Sequence, residues 1–281
     1  HRDLHSFPTR RSSDLHTFIK LSHDLYEKVN FTINNFRVKL VETDEEYDET
    51  LRMRFEVFNL EMGEGLASSE ATGRDEDDYD KYCDHLIVKD IENNDKIVAT
   101  YRILTKHNAL EGIWFYSETE FDISNLKNLD AEIIELGRTC VHKDYRSKHA
   151  MTFLWAGLSR VVELTNAKYL FGCGSIHSND INDISRIYRY FKDKYLSDEK
   201  YRVYPLEKNR MKELDLNIPL EDEKKVFRMI PPILKGYIRV SAVCCGEPAW
   251  DPEFGCADLL IMLNAHNITK RYTDHFMQKE R

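Results

Sequence analysis

The alternation of apolar and polar positions is clearest over residues 36 to 41 (FRVKLV), which predicts a first strand. Thr43 with Glu46 three residues later forms a capping-box pattern, so a helix is expected from about residue 44 to 62. Its apolar face would carry Leu51, Phe55, Phe58 and Met62, and Gly63 and Gly65 would end it. Two strand-like runs, 85 to 88 and 96 to 104, flank the turn residues Asn93, Asn94 and Asp95 and predict a hairpin. Residues 133 to 141 (IIELGRTCV) read as a further strand, and 148 to 165 as a largely buried helix despite Gly157. A strand starting at 169, a helix over 181 to 196, and strands over 237 to 245 and 256 to 263 complete the pattern. Strands and helices in this order imply an α/β (α+β) three-layer domain around a mixed sheet.

Residues 63 to 84 are polar and acidic, and length alone marks them as a solvated loop or a functional lid. Residues 5 to 15 (HSFPTRRSSDL) back-translate to a common sequencing adapter, so residues 1 to 15 are expected to be a cloning or assembly scar. Residues 16 to 35 then form an N-terminal extension, 36 to 276 a single domain, and 277 to 281 a tail.

The net charge of −9 makes general nucleic-acid binding a poor expectation. No apolar stretch approaches the roughly eighteen residues of a membrane span, and no secretory signal stands out. The six cysteines show no disulfide framework, which fits a reducing cytoplasm. Cys140 with His142 and Cys173 with His177 lack zinc-site spacing and read as buried thiols, so no metal is expected. Walker and dinucleotide-binding signatures are missing.

The chemistry-bearing candidates lie on the strands. Glu135 sits in an apolar strand, where desolvation raises a carboxyl pKa toward the range of a general base for an ammonium. On sequence alone the structural reading, a carboxylate paired with Arg102 or Arg138, weighs somewhat more. Alternation places Glu135 and Gly137 on one face, Leu136 and Arg138 on the other. Arg102, inside another apolar strand, needs a carboxylate partner: a substrate, Glu135 or the acidic loop. Asp75, Asp77, Asp78, Asp80 and Asp84 could attract a cationic substrate or be a solvated charge run. The basic stretch 141 to 149 joins a strand to a helix and could receive a phosphate or an acidic partner.

Several motifs occur in a fixed order: Arg54-Phe-Glu-Val-Phe58, Asp77-x-x-Asp80, Thr100-Tyr-Arg-Ile-Leu104, Phe115-Tyr-Ser-Glu118, Glu135-Leu-Gly-Arg138 and Val141-His-x-x-Tyr-Arg146. They continue with Leu154-Trp155, Leu170-Phe-Gly-Cys173, Pro231-Pro232, Tyr237-x-Arg239, Cys245-Gly-Glu-Pro-Ala249 and Asp251-x-x-Phe-Gly255. The series resembles the ornithine N-acyltransferase and N-acyl amino acid synthase group of the GNAT superfamily, often labelled haemolysin-like, and more distantly the acyl-homoserine lactone synthases. The resemblance implies a GNAT fold with a mostly antiparallel, twisted sheet, helices on both faces and a V-shaped opening between two central strands.

It further implies a cytoplasmic enzyme, with a peripheral place at the inner membrane as the alternative, that moves a long (3-hydroxy)acyl chain from acyl carrier protein to an amino acid. Ornithine is the favoured acceptor, with glycine possible, and the product a lyso-aminolipid; the alternatives are a coenzyme A-dependent N-acetyltransferase or a non-enzymatic haemolysin-like module that binds lipid or protein. Glu135 and Arg138 would be catalytic, with Arg54, Phe58, Asp77, Asp80 and Arg102 binding the amino acid. Cys140, Val141, His142, Lys143, Tyr145, Arg146 and Lys148 would serve the donor and its carrier. Phe115, Tyr116 and Trp155 would line the acyl tail. Two departures stand out. The stretch Arg146-Ser-Lys-His-Ala-Met151 lacks the glycines of the usual phosphate loop, which favours acyl-phosphopantetheine on a carrier over coenzyme A. Ser241 stands where relatives commonly have glycine.

Overall fold

The computed structural model describes residues 23–146 and 149–268. Helix α1 (His23–Val29) precedes a short hairpin of β1 (Phe31–Ile33) and β2 (Phe36–Leu40). Thr43 caps α2 (Asp44–Phe55) by accepting the Glu46 amide at 3.2 Å. The capping box does not close on Thr43. The Glu46 carboxylate turns to the Glu42 amide, Lys39 and Lys89 instead. After Phe55 the helix widens into a π-helical stretch over Glu56–Met62, which Gly63 ends at φ 70°. That widening rotates the buried face: Leu51, Met53, Arg54 and Val57 point inward, and Met62 is exposed.

Strands β3 (Asp84–Asp90) and β4 (Lys96–Thr105) form the expected hairpin, with Asn94 and Asp95 in the left-handed region at its turn. Helix α3 (Lys106–Glu111), β5 (Phe121–Asp122) and α4 (Ser124–Lys127) lead to β6 (Ile133–Val141). Helix α5 (Ala150–Thr165) crosses to β7 (Tyr169–Ile176), followed by α6 (Ile181–Lys194) and β8 (Tyr204–Pro205). Helices α7 (Glu223–Met229) and α8 (Pro232–Arg239) precede β9 (Val243–Cys244), β10 (Ala249–Asp251) and β11 (Cys256–Asn264).

The main sheet has the order β1-β2-β3-β4-β6-β7-β11-β10, with β9 also on β11. Every pairing in it is antiparallel except β6 with β7. Side-chain alternation on β3 shows the layering: Leu86 and Val88 join the core beneath α5, whereas Ile87 packs with Met53 and Val57 of the α2 layer. Gly157 is required where α5 crosses the sheet, because a Cβ there would lie 2.7 Å from Val38 Cγ1 and 2.9 Å from Leu86 Cδ1.

The largest departure from the sequence pattern is at 237 to 245. Tyr237 belongs to α8, not to a strand, and only Val243–Cys244 pair with β11. Pro232 opens α8 in the first helical turn, where its missing N–H costs nothing. The Tyr237 ring then packs edge-on against Trp155 of α5, so tertiary contacts override the β-branched run. Among the described residues no helix is long and apolar enough to cross a membrane.

Candidate active site

The parallel pair β6–β7 is short. Ile133, Ile134 and Glu135 pair with Tyr169, Leu170 and Phe171, and there the pairing stops. At the point of closest approach, a Cβ on Gly172 would sit 2.1 Å from the Leu136 carbonyl, so only glycine fits. Beyond it the strands splay, and a cavity of about 650 Å³ fills the gap. Residues 136 to 141 of β6 form one wall and Cys173, Gly174 and Ser175 of β7 the other. Met151 and Trp155 of α5 and Ile233 and Tyr237 of α8 give it an apolar arm, and the Tyr237 hydroxyl is bonded to that of Tyr101.

The antiparallel ladder determines which backbone donor faces this gap. The His142 amide donates to Val98 O at 2.9 Å, and Val141 pairs with Ala99. Hydrogen bonding alternates along such a ladder, so the Val141 N–H points away from β4 and into the opening. A β-bulge lies just before it. Thr100 pairs with Cys140 but Arg102 with Gly137, and Arg138 takes a left-handed φ of 46°. The bulge breaks strict alternation and swings Arg138 onto the same face as Arg102 and Glu135.

Those two arginines are gathered by the acidic loop. Arg102 Nη1 donates to Asp77 Oδ1 at 2.7 Å and Arg138 Nη2 to Asp77 Oδ2 at 2.9 Å. Below them Arg54, with no exposed surface, donates to Asp75 and Asp80 at 2.8 and 2.6 Å. Burial pushes the Asp77 carboxyl up, but Arg102 and Arg138 outweigh it and hold it below its usual range. Asp80 is likewise desolvated, yet Arg54 and Arg102 hold it far down. His85, buried beside Asp80, is depressed to about 4 by desolvation and is uncharged at neutral pH. Three guanidinium groups thus face three carboxylates, and the network is neutral. Asp84 is bound by the Tyr26 hydroxyl at 2.7 Å, and Asp78 by Lys81 on the surface. The acidic loop is therefore a scaffold for the strand arginines.

Glu135 lines the cavity but is 5% exposed. Its Oε2 accepts the Tyr116 amide at 2.6 Å, and its Oε1 accepts the Ser117 amide at 2.8 Å and the Ser117 hydroxyl. Burial raises its pKa, and the donors from Ser117 and Tyr116 pull part of that rise back. No ion pair joins it to Arg102 or Arg138, so the structural pairing considered from sequence does not form.

Other candidates divide between wall and scaffold. Phe58, Arg102, Tyr116, Glu135, Arg138, Cys140, Val141, Arg146 and Trp155 line the cavity. Arg54 and Asp80 lie in the buried network, and Phe115 packs on Phe171 in a neighbouring cluster, away from the cavity wall. Tyr145 bonds Asp90 at 2.8 Å and packs on Phe36, and buried His142 lies 3.1 Å from Lys96 Nζ. Lys143 is exposed, while Arg146 is paired with Glu61. Lys148 lies outside the described residues.

The sequence reading missed a second acidic group. Glu120, Asp251 and Asp258 are 3%, 4% and 3% exposed. Asp251 and Asp258 line the cavity opposite β6. Ligand atoms of Glu120, Cys173 and Asp258 lie within 4.8 Å of one another, as do those of Asp251, Cys256 and Asp258. Desolvation, then the charges of Asp258 and Asp251, push Glu120 up to about 10, and burial pushes Asp258 up to about 6. The signal was available: Asp258 interrupts an apolar strand just as Glu135 does.

A splayed parallel pair with a bulged partner strand, a free amide in the gap and an apolar arm defines a GNAT-fold acyltransferase, and residues 53–156 match the family model for the acetyltransferase (GNAT) domain. The chain is 31% identical to the L-ornithine N(alpha)-acyltransferase of Brucella abortus over 87% of its length and 89% of that protein's. The Agrobacterium fabrum enzyme of the same name is also 31% identical, over 87% of this chain and 86% of its own. The chain belongs to the L-ornithine N(alpha)-acyltransferase family. Among solved structures, an N-acyl amino acid synthase from uncultured soil microbes aligns with a TM-score of 0.48 and 9% identity, over 83% of this chain and 92% of its own.

Proposed function

We propose that the cleft between β6 and β7 transfers a long acyl chain, 3-hydroxyacyl in the favoured case, from the phosphopantetheine of acyl carrier protein to the α-amine of ornithine. The relatives' names support the acceptor. The observation that carries the chemistry is the convergence of three features on one opening: the Val141 amide, the desolvated Glu135 carboxylate and the apolar arm around Trp155 and Tyr237.

Glu135, directly or through one water, takes a proton from the α-ammonium. The amine attacks the thioester carbonyl, and the Val141 N–H receives the developing oxyanion. The C–S bond breaks as the attacking nitrogen gives up its second proton to the departing thiolate, and Glu135 releases the first to solvent. Arg138 holds the amino acid's carboxylate, since its Nη1 makes no hydrogen bond to a described residue. Two features support a carrier-bound donor. The 146 to 151 stretch has no glycine, and His149 rather than glycine takes the left-handed position before α5, so a pyrophosphate finds no close backbone cradle. Arg146, Lys143 and Lys148 offer the carrier's acidic surface its local basic contact. Exposed Met62, on the cavity wall, and exposed Leu60 two residues before it give the acylated product an apolar path to a membrane surface.

Lipid mass spectrometry of a host expressing the protein tests this. A new N-acylornithine species is expected, absent with Glu135→Gln. A folded, abundant protein that yields no N-acyl amino acid contradicts the proposal. Unchanged single-turnover thioester consumption by Glu135→Gln would remove Glu135 as the base.

A further inference from the structure

We propose that Glu120, Asp251 and Asp258 form the subsite that binds the side-chain ammonium of the amino acid acceptor. This rests on the acyl-transfer reading above and adds the residues that would make the enzyme choose a diamino acid.

The argument begins with charge. The arginines of the cleft are already balanced by Asp75, Asp77 and Asp80. None of Glu120, Asp251 and Asp258 has a basic partner among the described residues, although each is more than nine-tenths buried. Buried carboxylates without a counter-charge must either keep a proton or accept a cation. Asp251 Oδ1 is occupied by the Glu253 and Phe254 amides, and its Oδ2 has only the Tyr116 hydroxyl at 3.4 Å. Glu120 Oε2 is buried with no hydrogen-bond partner. One carboxylate oxygen of Glu120 belongs to the group of ligand atoms within 4.8 Å that includes Asp258 and Cys173, both on the cavity wall. An ammonium has three N–H donors and no acceptor, which is what such a set of oxygens lacks.

Position agrees with charge. Tyr116 bridges the two ends of the cleft: Arg138 lies 5.7 Å from its ring centroid, and its hydroxyl touches Asp251. An amino acid whose carboxylate meets Arg138 therefore has its side chain directed along Tyr116 toward Asp258. Glu135 adjoins the same subsite, because Ser117 contacts both Glu135 and Cys173, at 3.6 Å from the sulfur, so the α-amine of a molecule held there is within the base's reach. A neutral side chain would bring no counter-charge to these buried carboxyl groups and would leave Glu120 Oε2 without a donor, so the subsite rejects it.

The test is calorimetric binding of L-ornithine and L-norvaline, which has the same carbon chain but no side-chain amine, to the wild type, Asp258→Asn and Glu120→Gln. The wild type should bind ornithine about ten- to hundred-fold more tightly, the worth of a charge-assisted contact, and Asp258→Asn should bring the ratio close to one. Glu120→Gln provides the same readout should the Asn variant fail to fold. Equal affinities in the wild type, or an unchanged ratio in a folded variant, overturn the inference. So does stoichiometric binding of Zn2+ or Mn2+ that depends on Asp258 while ornithine affinity does not. Because the readout is binding, loss of discrimination is separable from failure of acyl transfer itself.

Discussion

Replacing Arg54 with Met distinguishes a scaffold from a substrate contact. Arg54 makes four hydrogen bonds to Asp75 and Asp80 and has no exposed surface. Without it, Asp80 keeps Arg102 at 3.3 Å and the Asp77 amide at 2.8 Å, and the guanidinium left to Asp75 is that of Arg138 at 3.3 Å. Removing one member of a buried, hydrogen-bonded ion network costs about 3–5 kcal/mol, because the orphaned carboxylates stay desolvated. That is a large share of a typical folding stability of roughly 5–15 kcal/mol. For a domain of this size it lowers the melting temperature on the order of 10 °C. The native Asp80 pKa is depressed, so its contribution is present above the unfolded value of about 3.9 and lost as pH falls through the lower folded value. In Arg54→Met the orphaned carboxylate can take a proton, so the deficit relative to wild type is largest near neutrality and shrinks toward pH 4. Thermal melts across pH, followed by steady-state kinetics well below the transition, read both effects. An unchanged melting temperature with a raised KM for the amino acid would show that Arg54 touches substrate and refute the scaffold role.

Ser241 holds a left-handed φ of 61°, so Ser241→Gly should raise stability by up to about 1 kcal/mol in denaturant titration; a loss would mean its side chain makes a needed contact. Gly172→Ala should cost about 1–3 kcal/mol or more and impair transfer, since its Cβ strikes the Leu136 carbonyl where the strands part; wild-type stability would contradict the close approach. Arg146→Glu should raise KM for acyl carrier protein and leave KM for the amino acid unchanged, and equal effects on both would remove the docking role. Glu120 and Asp258 have folded pKa values of about 10 and 6, above their unfolded values, so the stability from their protonated forms is present at low pH and lost as pH rises toward those values. Melting temperature should therefore fall from pH 6 to 9 and be restored by ornithine more than by norvaline; a flat profile contradicts uncompensated burial.

Periodicity found β6 to the residue and most of the sheet, because strands buried on one or both faces leave short alternating or continuous apolar runs. Glu135 stood out for the same reason, as a carboxylate inside such a run. The bulge at Arg138 left no trace: a non-glycine residue enters the left-handed region there because Asp77 holds its side chain, a contact 61 positions away. The acidic loop stayed open between a cationic substrate and a solvated charge run, since loop carboxylates look alike until their partners are known; Asp75, Asp77 and Asp80 meet arginines through long-range contacts. Helix α8 was hidden by the β-branched residues Ile238 and Val240, although Pro231-Pro232 carried the start signal. Asp258 was legible as a charge in an apolar strand, but its company with Glu120 and Asp251 depends on the β7–β11 and β10–β11 pairings.

The most direct measurement is the site of acylation in a single turnover. Purified protein, one equivalent of 3-hydroxyacyl carrier protein and L-ornithine are mixed, quenched and read by fragmentation mass spectrometry. With the α-amine beside Glu135 and the side-chain amine held by Asp258, the acyl group should appear on the α-nitrogen alone. Acylation of the δ-nitrogen, or thioester hydrolysis without any amide product, would contradict the arrangement of the cleft.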